Sequence, residues 1–160
     1  MKPSIHQRGL YFEELDTEVV YSHSPGRTVD VSDNTLFSTL TMNPQSLHLD
    51  AAASIHTEFG ERLVNSMFTL STLIGLSVAQ LTQETTVANL GFGAISFPKP
   101  VLAGDTLYAE TTVVSKRESK SRPDVGIVEF LHVARNQHQD VVAEARRTAM
   151  MRRLPSGEER

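Results

Sequence analysis

The sequence predicts an α+β domain in which one apolar helix lies on an antiparallel sheet. Helical signals fill the first half of the chain and strand signals the second, and that segregation favours helices packed on one face of a hairpin-linked sheet. The clearest single feature is the segment 66–81. Met67, Phe68, Leu70, Leu73, Ile74, Leu76, Val78 and Leu81 leave only small residues such as Ser71, Thr72, Gly75, Ser77 and Ala79 between them. A helix apolar all round yet only about four turns long belongs in a core, with other elements wrapped around it.

The elements follow in order. Residues 1–25 read as an irregular lead-in, with a strand-like piece at Thr17-Glu18-Val19-Val20-Tyr21 before a Ser24-Pro25-Gly26 turn. Ser32-Asp33 then reads as a helix cap, and Leu36, Phe37 and Leu40 fall at helical spacing, which predicts a short helix over 33–41. A second short helix is predicted over 50–58, carrying Ala51-Ala52-Ala53 and ending before Gly60. Strands are predicted over 86–97, 106–116, 126–136 and 141–152, rich in Val, Thr, Ile and aromatic residues. Pro98-Lys99-Pro100, Gly104-Asp105, Arg122-Pro123-Asp124 and the polar run 136–140 separate them. In the second strand Leu107, Ala109, Thr111 and Val113 alternate with Thr106, Tyr108, Glu110 and Thr112, so one face is the more apolar.

Composition narrows the function classes. With 160 residues and 39% hydrophobic content, the chain 1–160 is expected to form one domain, burying roughly two-thirds of the surface it exposes when unfolded. A net charge of -4 and a pI near 5.8 argue against a general nucleic-acid or anionic-membrane binder. The absence of cysteine excludes disulfides, thiolate zinc sites and cysteine nucleophiles. No stretch approaches the ~20 uninterrupted apolar residues of a membrane span, and no basic-then-apolar leader is present, so a soluble cytoplasmic protein is expected. His6, His23, His56, His132 and His138 are not paired at metal-ligand spacing. Gly91-Phe92-Gly93 lies inside a strand with no helix after it, so neither a metal nor a nucleotide-redox cofactor is expected.

The run Thr41-Met42-Asn43-Pro44-Gln45-Ser46-Leu47-His48-Leu49-Asp50 precedes Phe59-Gly60 and Leu63-Val64-Asn65-Ser66-Met67-Phe68-Thr69-Leu70. Later come Phe97, Pro100-Val101 and Gly104-Asp105-Thr106-Leu107. In order and spacing this set, with Phe37, resembles the MaoC-like dehydratase family, the (R)-specific enoyl-CoA hydratases, over about residues 8–153. The resemblance implies a hotdog fold, a long helix wrapped by an antiparallel sheet, and a homodimer or higher homo-oligomer built by pairing sheets edge to edge. It implies a hydro-lyase acting on an enoyl-CoA or 3-hydroxyacyl-CoA thioester, with CoA as part of the substrate and no separate cofactor. The family motif has an aspartate, then Asn-Pro, then a histidine five residues after the aspartate, and the two acidic and basic groups activate water. His48 stands in the histidine place, Asn43 where the aspartate is expected and Gln45-Ser46 where Asn-Pro is expected, while Pro44 is out of register.

That departure has chemical weight, because hydration needs a group to take a proton from water and one to protonate C2. An amide can position water but cannot accept its proton, whereas an imidazole, with an ordinary pKa of about 6.5, can. His48 is therefore the acid/base candidate and Asn43 the water-orienting one. Asp50 and Glu58 could supply a second carboxylate, although Asp50 is also a natural helix cap. Either the centre has decayed to a non-catalytic acyl-CoA-binding module, or the amide suits a substrate that brings its own carboxylate. Two like charges ~4 Å apart repel by roughly 4 kcal/mol at an effective dielectric near 20, and Asn43 removes that repulsion. The string 41–50, with Leu63-Val64-Asn65-Ser66 and the segment 114–123, resembles a subgroup near the mesaconyl-CoA hydratases, which act on branched dicarboxylyl-CoA thioesters. The dicarboxylyl account is the favoured one.

In the family a backbone N–H at the start of the central helix polarises the thioester carbonyl, and Asn65-Ser66 match the His-Gly pair usual there. The Ser66 N–H is the candidate oxyanion donor, and Asn65 or Ser66 could equally be a plain cap. Phe37, Phe59, Val64, Met67 and Phe68 could line the acyl pocket or simply fill the core. Lys116, Arg117, Lys120 and Arg122 suit CoA phosphates, and a charged hairpin tip would look the same. Arg146, Arg147, Arg152 and Arg153 read as a strand-end surface. A hotdog thioesterase is the enzyme alternative, but it usually needs a carboxylate at the helix start, where Asn65-Ser66 offers none.

Overall fold

A computed structural model describes residues 2–155. After a 3-10 turn at Phe12–Glu14 come β1 (Val20–Thr28), α1 (Val31–Leu40), and two single helical turns, α2 (Ser46–Leu49) and α3 (Ala51–Ser54). The main helix α4 (Ser66–Ser77) runs on through a wider π turn (Val78–Thr82) into β2 (Thr86–Ser96), β3 (Thr106–Glu118), β4 (Val125–Arg135) and β5 (Val141–Arg152). The strands form one antiparallel sheet in the order β1-β3-β4-β5-β2, and α4 packs on β3, β1, β4 and β5. This is the α+β architecture read from the sequence. Among the described residues no helix is long and apolar enough to cross a membrane.

The alternation in β3 decides which face meets the helix: Leu107, Ala109, Thr111 and Val113 are buried as expected. Two apolar clusters result. Val64, Leu73, Val101, Leu107, Ala109, Val142 and Ala145 belong to the one nearer the start of α4, while Phe12, Leu81, Val113, Phe130 and Met151 belong to the other. Gly126 sits under the Phe12 ring, where an added Cβ would come within 2.1 Å of a ring carbon, so only glycine admits that packing.

A buried polar chain runs beneath α4. His132 Nδ1 and His23 Nε2 each lie 2.8 Å from Thr111 Oγ1, and His23 Nδ1 lies 2.7 Å from Gln80 Oε1. One proton arrangement makes all three bonds with both rings neutral, His132 Nδ1–H donating to Thr111, Thr111 O–H to His23 Nε2 and His23 Nδ1–H to Gln80, and it leaves the buried His132 Nε2 without a partner among the described residues. Burial, reinforced by the nearby Arg147 charge, pushes the His132 pKa down to about 3. Burial lowers that of His23 as well, against the opposing pull of the Gln80 bond.

Several boundaries differ from the sequence expectations. β1 does not end at the Ser24-Pro25-Gly26 turn but continues through it to Thr28, with a register shift between His23 and Arg27 absorbing the irregularity. Gly26 permits this, since a Cβ there would lie 2.6 Å from the Tyr108 ring. α1 starts earlier than 33, capped by Asp30, whose carboxylate accepts from Ser32 N–H at 2.9 Å while Asp33 accepts from Asp30 N–H at 2.9 Å. Its leucines face outward: Leu36 and Leu40 are 60% and 74% exposed, and Asn34 and Ser38 are buried instead. The helix expected over 50–58 is a single turn, with Asp50 as its cap at 2.9 Å from Ala53 N–H. α4 is not wrapped all round. Thr69, Leu73 and Ser77 face the sheet, whereas Met67, Ser71 and Gly75 are exposed. Arg147 is not on the surface but buried, its Nε donating to Asn89 Oδ1 at 3.2 Å.

The buried histidines make stability depend on pH with a defined sign. An unfolded histidine takes up a proton near pH 6.5, and His132 resists protonation down to about 3 when folded. Between those values the unfolded state binds the extra proton, so stability falls as pH falls. Lowering the pH from 6.5 to 5.0 should cost about 1.6 kcal/mol through His132 alone. Urea unfolding midpoints across that window report it, and His132→Asn should flatten the dependence.

Candidate active site

The loop between α1 and α4 is built largely by side-chain and main-chain hydrogen bonds. Asn43 Oδ1 accepts from Gln45 N–H at 3.1 Å, His48 N–H donates to Gln45 C=O at 3.0 Å, and Asp50 N–H closes the α2 turn on Ser46 C=O at 2.8 Å. Leu63 N–H donates to Leu47 C=O at 3.0 Å and Val64 N–H to Val101 C=O at 2.9 Å, so the approach to α4 is tied to both the loop and the segment before β3. Asn65 caps α4, its Oδ1 accepting from Met67 N–H at 3.0 Å.

His48 is half-buried, and its Nδ1 lies 2.9 Å from Leu63 C=O. A carbonyl only accepts, so Nδ1 carries the proton, and in the neutral form of the ring Nε2 is the acceptor nitrogen. Ser66 is also half-buried, and among the described residues no acceptor pairs with its N–H. Ser66 lines a cavity of about 340 Å³ with Phe59, Val64, Thr69, Lys99 and Val142 among its other walls. Its interior is mainly apolar, with the helix N-terminus and one ammonium as polar features.

The remaining sequence candidates divide between places. Phe59, Val64 and Ser66 share the first cavity, while Phe37 and Phe68 meet edge to face at 5.6 Å and line a separate groove of about 340 Å³ with Arg27 and Gly75. Met67 is 47% exposed on the open face of α4, and Asn65 is buried as the cap. The cations proposed for CoA lie elsewhere in the chain. β3 has 13 residues, which at ~3.3 Å each make about 40 Å, and the β3–β4 hairpin that carries them is at the end away from Val101 and Ser66. Lys116 is committed in any case: its three ammonium hydrogens face the carbonyls of Phe12, Glu13 and Leu15 at 3.1, 3.4 and 2.5 Å. Arg122 is paired with Asp124 at 2.6 Å, whereas Arg117 and Lys120 are exposed. Within one chain the structure thus separates these four residues from His48 and Ser66, because the hairpin and the helix start cap opposite ends of the sheet.

Sequence reading missed Asn34, Ser38 and Lys99. Asn34 Nδ2 donates to His48 C=O at 3.1 Å and Leu63 C=O at 2.9 Å, and its Oδ1 accepts from Asn65 N–H at 2.9 Å. Ser38 Oγ accepts from Asn65 Nδ2 at 3.3 Å. The signal was present in two polar residues at i, i+4 in a short helix, a spacing that puts them on one face. The neighbouring Leu36 and Leu40 lie on the opposite, exposed side.

A helix laid along a five-stranded antiparallel sheet defines a hotdog domain. The family model described as MaoC like domain matches residues 14–135, and the chain belongs to that family. The chain is 28% identical over 152 residues to the mesaconyl-CoA hydratase of Haloarcula marismortui, a match covering 94% of this chain and 42% of that protein. It is 36% identical over 84 residues to the (R)-specific enoyl-CoA hydratase of Aeromonas caviae, covering 52% and 61% respectively. The chain therefore spans less than half the length of the mesaconyl-CoA hydratases it matches. Among solved structures, the MaoC-like dehydratase of Rhodospirillum rubrum superposes with a TM-score of 0.79 at 29% identity, covering 92% of this chain and 99% of that one. A Mycobacterium tuberculosis protein with a double hotdog fold gives 0.85 at 24%, covering 98% and 48%.

The placement of Lys116 separates structural from ligand roles. Lys116→Met should destabilise the fold by about 1–3 kcal/mol, since charged hydrogen bonds to three carbonyls are lost. CoA-thioester affinity, read by calorimetry below the unfolding range, should not change.

Proposed function

We propose that the protein reversibly hydrates an enoyl-CoA to the 3-hydroxyacyl-CoA, using side-chain acid/base chemistry with CoA as part of the substrate. The observation that carries this reading is the His48–Leu63 bond, which leaves Nε2 as a base beside the loop that leads to the Ser66 N–H. Nε2 takes a proton from water as the water oxygen bonds to C3. The C2–C3 π electrons shift toward the thioester, and the charge that develops on its oxygen is met by the Ser66 N–H at the positive end of α4. The resulting imidazolium, steadied by its Nδ1–H bond to Leu63, returns the proton to C2. All atoms are then accounted for, and the ring is restored.

The same reading extends to a dicarboxylyl-CoA of the mesaconyl type. Asn43 spends its oxygen on Gln45 N–H, which turns the remaining Nδ2–H donors toward an oxygen of water or of a substrate carboxylate, and an amide does not repel that carboxylate. Lys99 lines the Ser66 cavity, held between Pro98 and Pro100, whose fixed φ stiffens the backbone. Its ammonium pairs with Asp140 at 2.6 Å, with the two side chains 55% and 37% exposed. An exposed pair of this kind is worth only about 0–1 kcal/mol, so Lys99 can exchange Asp140 for a substrate anion at little cost.

A homodimer fits the same surfaces. β2 is an edge strand carrying the exposed Leu90, Phe92 and Ile95, and pairing it with the β2 of a second copy would close the edge and bring apolar cover toward the open face of α4.

Assays with crotonyl-CoA and mesaconyl-CoA test the reaction. His48→Ala should lower hydration by at least about 100-fold; unchanged hydration would remove His48 from the mechanism, and release of free CoA would favour a thioesterase. Asn43→Asp and Lys99→Met should each reduce kcat/KM for mesaconyl-CoA several-fold more than for crotonyl-CoA, and equal losses would exclude the carboxylate reading. Sedimentation equilibrium should show twice the chain mass, reverting to one chain when Phe92 and Ile95 are both replaced by Glu.

A further inference from the structure

We infer that Asn34 is a positioning residue that holds His48 in its Nδ1–H tautomer and fixes the spacing between that ring and the Ser66 N–H. The inference rests on the hydratase reading above and extends it to a residue on a different element, 14 positions from His48 and 31 from Asn65.

The geometry uses the whole side-chain amide. One Nδ2 hydrogen goes to the His48 carbonyl, the other to the Leu63 carbonyl, and Oδ1 takes the Asn65 N–H, at 3.1, 2.9 and 2.9 Å. Leu63 C=O has two lone pairs, and Asn34 occupies one while the His48 ring occupies the other at 2.9 Å. The carbonyl is therefore clamped with its second lone pair toward Nδ1, and a ring facing a fixed acceptor keeps its proton on that nitrogen. The Asn65 N–H is the amide immediately before that of Ser66, so the same side chain that sets the base also sets the start of α4. These three side chains are buried: Asn34 and Asn65 are each 4% exposed and Ser38 is fully covered. Ser38 steadies the arrangement from the same face of α1 by accepting from Asn65 Nδ2.

Asparagine suits the place for a definite reason. The three surrounding backbone groups are two acceptors and one donor, which an uncharged amide matches. Asp would set a carboxylate against two carbonyl oxygens and could donate to neither, and Leu would leave all three backbone groups unpaired in a buried site. Helix propensity does not explain the residue, since asparagine is a poor helix former inside α1.

The experiment joins a spectroscopic reading to kinetics. In the wild-type protein ¹⁵N chemical shifts of the His48 ring, assigned by difference with His48→Gln, should show the Nδ1–H tautomer at pH 8; the Nε2–H form would overturn the inference without any variant. Asn34→Ser, the milder change, and Asn34→Leu should then shift His48 toward a mixture of tautomers. They should lower kcat for crotonyl-CoA hydration at least tenfold with KM within about twofold, and move the acid limb of the kcat profile. An unchanged tautomer in a folded variant, or kcat unchanged beside an active wild type, would overturn it. A wild type without hydratase activity would refute the hydratase reading instead, while the ring shifts would still decide the positioning role.

Discussion

The three-residue approach to α4, Leu63 to Asn65, is the constraint on which the rest of the site depends. Its backbone groups lie outside regular helix and sheet, yet Val64 and Asn65 are buried, so each needs a partner. Those partners come from three separate parts of the chain: Asn34 in α1, Leu47 and the His48 ring in α2, and Val101 before β3. Satisfying the backbone and assembling the site are consequently one event. The bonds that avoid unpaired polar groups also set the tautomer of His48 and the direction of the first helical amides.

This arrangement explains why α1 is turned with its leucines outward. A helix lying over an irregular, hydrogen-bonding segment must present polar groups to it, and Asn34 and Ser38 do so. Elsewhere the same requirement is met differently. The His23–Thr111–His132 chain crosses beneath α4 with neutral rings that bond to a hydroxyl and an amide. Near pH 7 this is stable, because no charge has to be buried apart from that of Arg147.

Electrostatic economy also links Asn43 with Lys99. The family's aspartate would place a fixed negative charge in the loop, suited to activating water beside an uncharged acyl group. With an amide there, the proposed proton transfer rests on His48, and the proposed anionic substrate would meet no fixed negative charge at that position. The ammonium at the cavity wall supports that reading, since its pairing with Asp140 is exposed and weak.

Most of the architecture was legible in the residue pattern, because the period-two alternation in 106–113 and the unbroken apolarity of 66–81 are local consequences of how strands and helices bury a face. The histidine of the loop was legible through its motif, and Asp50 through its capping chemistry. Other features depended on distant contacts. The passage of β1 through Ser24-Pro25-Gly26 follows from pairing with β3, and the commitment of Lys116 from three carbonyls about a hundred residues away. The role of Asn34 likewise exists only once α1 lies across Leu63. Sequence alone determined which segments are apolar and which residues carry titratable chemistry. Tertiary structure decided which of them meet, because a hydrogen bond between residues 31 positions apart leaves no periodic trace in the chain.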